Sequence, residues 1–75
     1  MTHVIAMTSE ELKAELMKAV QDRISAKESQ SAAAREWGVP QSTVNEIARG
    51  KDRWSVGFLL DLMMRDGLVV QVEFH

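Results

Sequence analysis

The chain has no cysteine and no tyrosine, a single proline, four glycines and only four aromatic residues in 75. Without cysteine there is neither a disulfide staple nor a thiolate zinc site. Its two histidines, His3 and His75, stand at opposite ends and match no metal-ligand spacing. No serine has a histidine or cysteine nearby to activate it, and no glycine-rich phosphate loop is present. The residues therefore predict a non-enzyme that uses no metal and no cofactor. No apolar run is long enough to span a bilayer. The opening MTHVIAMTSEE lacks the basic and extended apolar parts of a secretion signal, so the expected location is cytoplasmic. A large basic excess is missing too, since the formal net charge is −2.

What is present suits one small domain spanning residues 1–75. Apolar residues make up 45% of the chain, a globular rather than a disordered composition. A domain this short buries only about 60% of its unfolded surface, so association with a second chain is a natural way to enlarge a thin core. Charge is unevenly placed. Glu10, Glu11, Glu15 and Asp22 crowd the first third, whereas residues 23–53 hold six basic and four acidic side chains. That mild local excess permits contact with nucleic acid without demanding it.

Four helical segments are predicted, at about 9–24, 30–37, 41–49 and 56–66, followed by a strand at about 68–74. Thr8-Ser9-Glu10-Glu11 fits a capping box, in which Thr8 accepts from the third helical residue and Glu11 reaches back. Leu12, Leu16, Val20 and Ile24 then recur every four residues as one apolar stripe, with Met17 beside them. The polar stretch SAKES reads as a connection, and Ser29 caps the short QSAAAREW segment. Gly38 stops that segment, and Val39 pins the turn after it. Pro40 opens the third helix, where its missing N–H is no loss. Val44, Ile47 and Ala48 form its inner face, and Gly50 ends it. Ser55 caps VGFLLDLMMRD, a helix apolar around most of its circumference, which suits a central position or an interface. Trp37 and Trp54 read as core or half-core residues and the five methionines as gap-fillers. LVVQVEF is β-branched and ends in alternation, so it reads as a strand.

Residues 30–50, QSAAAREWGVPQSTVNEIARG, thus form a short helix, a glycine turn and a second short helix, a helix-turn-helix. The third helix keeps Gln41, Ser42, Asn45, Glu46 and Arg49 polar while Val44 and Ile47 point inward. Amide side chains suit the donor and acceptor edges of bases in the major groove. Plain packing is the bland alternative for this geometry.

The stretch GVPQSTVNEIARGK resembles the Cro/C1-type (XRE) helix-turn-helix family of phage repressors and antitoxins, and the likeness covers roughly residues 12–66. The fourth helix running straight into LVVQVEF is similar to the compact antitoxin- or phage-regulator-like branch. The resemblance implies an all-α, four-helix fold and double-stranded DNA as partner. It implies that Gln41, Ser42 and Glu46 face base edges with Asn45 near them, and that Gln30, Thr43, Lys51 and Arg53 meet phosphates. Two positions depart from the pattern. Pro40 stands where a Ser or Thr cap is usual, and Glu46 is acidic where a neutral or basic residue is common.

A lone strand must find a partner for its edges. Three partners are open to it: the same strand of a second copy, the segment His3–Ala6, and the sheet of another protein. The symmetric homodimer is favoured, with Leu68, Val70, Val72 and Phe74 at the interface, because twofold dimers dominate and would set two third helices on one face of a palindrome. The expectation is a dimeric repressor or autorepressor. The competing expectation is an antitoxin or phage adaptor whose main target is a toxin or other protein.

Overall fold

A computed structural model describes residues 2–74, with the side chains of Thr2 and Phe74 outside that description. His75 also lies outside it. In chain order come β1 (Thr2–Ala6), α1 (Ser9–Ala26), α2 (Gln30–Trp37), α3 (Gln41–Ala48), α4 (Val56–Arg65) and β2 (Val70–Phe74). The chain is mostly helical, as expected, and small strands stand at both ends.

The helix starts follow the sequence signals. Thr8 Oγ1 accepts from the Glu11 amide at 3.1 Å, and Glu11 Oε2 accepts from the Met7 amide at 2.9 Å. The reciprocal cap therefore reaches one residue further back than a capping box requires. Ser29 accepts from Ala32 and Ser55 from Phe58, each at 3.1 Å. Helix α1 extends two residues beyond the expected end. Ser25 and Ala26 are polar or small, but no Gly or Pro breaks the backbone there, and the chain turns extended only at Lys27. Polarity alone does not stop a helix.

The core is one cluster: Leu12, Leu16, Met17, Val20 and Ile24 from α1, Ala33, Ala34 and Trp37 from α2, Val44 and Ile47 from α3, and Leu59, Leu62 and Met63 from α4. Val4 and Ala6 join it from β1. The apolar α4 packs centrally along α1, which accounts for its composition.

The C-terminal strand takes, within the chain, one of the three partners that the sequence left open, and not the favoured one. Strand β2 pairs in parallel with β1 of the same chain, with Thr2 opposite Val70, Val4 opposite Val72 and Ala6 opposite Phe74. Parallel strands need a long crossover, and here all four helices supply it. The pairing is favoured because it sets Val4 and Ala6 into the core, with Val70 and Val72 half-buried against it. Exposed His3 and Glu73 meet on the opposite face, Nε2 to Oε2 at 3.0 Å. Five residues with one buried alternation were too short a signal for β1 to be read as a strand in its own right. Of the proposed interface residues, Leu68, Val70 and Val72 are thus partly used within the chain, and the side chain of Phe74 lies outside the described residues.

Candidate nucleic-acid interface

The turn between α2 and α3 is built by Gly38, whose φ of 67° is left-handed. A Cβ there would be strained in any case, and it would press on the Arg65 guanidinium at 3.3 Å. The Val39 amide bonds the Ala34 carbonyl at 3.1 Å, so the chain reverses directly off the end of α2. Helix α3 then starts at Pro40 without a side-chain cap, as its sequence implies.

Val44 and Ile47 are fully buried and hold α3 from behind. From α1, the Gln21 amide donates to the Ile47 carbonyl at 2.9 Å and fixes the last turn of α3. Opposite these anchors, Gln41, Ser42 and Arg49 are exposed, and Asn45 and Glu46 are half-buried. Nothing from the described chain covers this side beyond local side-chain bonds. Ser31 Oγ donates to Gln41 Oε1 at 2.8 Å, and Asn45 Nδ2 donates to Gln30 Oε1 at 3.2 Å. Both bonds run between α2 and α3 and align the amides in one row. Thr43 is half-buried on the flank of α3.

The loop after α3 is organised by Glu46. Its carboxylate takes Arg53 Nη2 at 2.7 Å and faces Lys51 Nζ at 3.9 Å. Arg53 also lies over the Trp54 ring, 5.1 Å from its centroid, and Trp54 stacks on Phe58 at 5.3 Å. Lys13 of α1 ties down the same loop through Asp52 at 2.8 Å. Gln41, Ser42 and Asn45 thus share one open side, whereas Glu46, Lys51 and Arg53 are joined to each other. Arg49 shares that side and makes no ion pair among the described residues. Arg49 is absent from the expected contact set, although its seven-residue spacing from Ser42 places it within ~20° of Ser42 around the helix.

A second carboxylate shapes the scaffold behind the site. The side chain of Asp66, at the C-terminal end of α4, is 1% exposed and receives Arg23 Nε at 2.6 Å, Lys27 Nζ and Trp37 Nε1 at 3.2 Å. Lys27 also meets Glu36 at 2.6 Å, and Arg65 Nη1 donates to the Trp37 carbonyl at 2.6 Å. Burial by itself pushes the Asp66 carboxyl up. The hydrogen bonds from Lys27, Arg23 and Trp37 outweigh it and hold the group below the usual carboxylate range. Lys27 is held above its ordinary value, first by its bond to Asp66 and then by Glu36. The cluster joins α1, α2 and α4, so it sets where the helix-turn-helix sits on the domain.

These features define the class: a helix-turn-helix with a second helix that carries an open polar side. A family model described as a helix-turn-helix domain matches residues 6–75, and the chain belongs to that family. No curated protein and no solved structure matches. The family assignment supports duplex DNA as a partner and a role in transcription regulation. No helix among the described residues is long and apolar enough to cross a membrane.

Proposed function

We propose that the protein is a sequence-specific regulator of transcription that inserts α3 into the major groove of duplex DNA. One observation carries this reading: the amide and hydroxyl side of α3 is open, while its apolar side is locked to the core. Gln41, Ser42 and Asn45 face the bases. Gln30 and Thr43 flank them toward the phosphates. Gln41 and Asn45 each have a donor and an acceptor, and such amides form two bonds with adenine. The likeness of GVPQSTVNEIARGK to the Cro/C1-type family points the same way.

Within this reading the protein acts as a homodimeric repressor on a palindromic operator. Support comes from an apolar groove of about 410 Å³ lined by Leu60, Met64, Leu68, Val69, Val70 and Val72. Met64 is 66% and Val69 64% exposed, so two large apolar side chains stand in water beside the groove. Each strand of the two-stranded sheet keeps one unpaired edge among the described residues, so a second β2 could add there. A twofold pair would space two α3 helices by about 34 Å, one turn of the duplex. The same groove favours the second reading, an antitoxin- or adaptor-like protein that lays it on a partner protein.

The test has two parts. An operator selected from a random-sequence pool should bind the protein more tightly than random duplex, and Gln41→Ala should relax the preference at one base pair. Equal binding to all duplexes, or none, would refute sequence-specific recognition. Sedimentation decides the dimer: the wild type should be dimeric and Val69→Lys monomeric. A wild type that sediments as a monomer with operator-free protein ends the dimer reading.

A further inference from the structure

Three basic side chains follow the recognition surface closely, namely Arg49, Lys51 and Arg53. They are not equivalent. Arg53 and Lys51 both meet the Glu46 carboxylate, at 2.7 and 3.9 Å. Arg53 is further occupied by the face of Trp54. Arg49 is exposed at the end of α3 and enters no ion pair among the described residues. Glu46 itself is only 21% exposed, so its carboxylate is drawn back among the side chains that surround it.

We propose that Glu46 is an internal counter-ion that withholds Arg53 and Lys51 from the DNA backbone, leaving Arg49 as the cation that meets phosphate and keeping sequence-independent binding weak. This rests on the DNA-binding reading above and replaces the expected roles of Glu46 as a base reader and of Lys51 and Arg53 as phosphate contacts.

Sequence-independent affinity comes from cations that displace counter-ions from phosphates. A cation already paired with a carboxylate must give up that partner before it can do so. The carboxylate left behind then lies beside a polyanion, which opposes the exchange. Two of the three local cations are therefore discounted in advance. Base readout by Gln41, Ser42 and Asn45 involves no net charge and is unaffected. An acid at this position thus trades total affinity for a larger gap between operator and random sequence.

Salt titrations of binding to the selected operator and to random duplex test the idea. Each phosphate contact contributes a slope of about −0.9 to log K against log salt. Glu46→Gln should steepen the slope by about one to two contacts and tighten random duplex by roughly tenfold, with a smaller gain on the operator. Lys51→Ala combined with Arg53→Ala should barely change the wild-type slope but should abolish the gain of Glu46→Gln. Arg49→Ala should make the slope shallower by about one contact. All these side chains but Glu46 are exposed, and circular dichroism checks that each variant folds. If Glu46→Gln weakens the operator at an unchanged slope, Glu46 reads a base and the proposal is wrong. If the Lys51/Arg53 double variant flattens the wild-type slope by two contacts, the two cations were never withheld. A wild type that binds no duplex would defeat the DNA-binding reading instead, which is a separate outcome.

Discussion

Two carboxylates in this domain each gather two basic side chains, and the contrast between them separates scaffold from surface. The side chain of Asp66 is enclosed at the junction of α1, α2 and α4, where Arg23, Lys27 and the Trp37 indole satisfy it. Glu46 stands at the edge of α3, and its partners Lys51 and Arg53 are more than half exposed. Charge and valence are alike, but the surroundings are not. Around Asp66 water is excluded, and the carboxylate lies at the C-terminal end of α4, where the helix dipole disfavours an anion. Around Glu46 water screens the pairs, so losing them costs folding little. Burial decides whether the same constellation is a rivet or a reserve of charge.

The sharpest way to break this contrast is at Asp66. Asp66→Ala leaves Arg23 and the Trp37 indole without their acceptor and Lys27 with Glu36 alone, and should destabilise the domain by about 1–3 kcal/mol in urea unfolding. A loss below ~1 kcal/mol would place Asp66 with the surface pairs.

The same cluster predicts an acid limb of stability. The folded-state value of Asp66 is depressed, so its contribution is fully present above the unfolded carboxylate value of about 3.9 and is lost as pH falls through the lower folded value. Lys27 is raised, so its contribution holds below about 10.4 and fades only as pH climbs past the higher folded value. Thermal melts should therefore show no loss from this pair across neutral pH and a decline in strong acid. Asp66→Asn should be less stable at pH 7 and should lack that part of the decline.

On the surface side, effects should move from folding to binding. Gln41→Ala should cost on the order of 1–3 kcal/mol in operator binding, measured by mobility shift, with little change in melting temperature. Ser31→Ala, which removes the donor to Gln41 Oε1, should weaken binding less, because it only loosens the amide. The smallest expected change is in the stability of Glu46→Gln, under ~1 kcal/mol, despite its two ion pairs.

Much of the fold was legible because it is local. Thr8, Ser29 and Ser55 marked three helix starts, and the four-residue stripe of Leu12, Leu16, Val20 and Ile24 marked the inner side of α1. The open side of α3 was legible for the same reason, since Val44 and Ile47 fix which side is inward, although Ala48, expected beside them, is exposed at the last turn. Long-range partners were not. Strand β2 meets a segment some seventy residues away, and the alternation of Val4 and Ala6 is too brief to announce it. The Asp66 cluster joins residues from three helices, and no local pattern distinguishes its carboxylate from a solvated one. Glu46 was seen as an unusual acid, but its pairing with Arg53 needed the loop's return path. Arg49 carries a usable local signal, its seven-residue spacing from Ser42.

The central claim concerns which side of the domain meets DNA. Titrating the protein with its selected operator and following backbone amides by NMR tests it directly. The amides of Gln41–Arg49, together with Gln30 and Ser31, should shift strongly, while those lining the α4–β2 groove should respond only weakly. Strong shifts confined to Leu60–Val72, with α3 unmoved, would contradict the account.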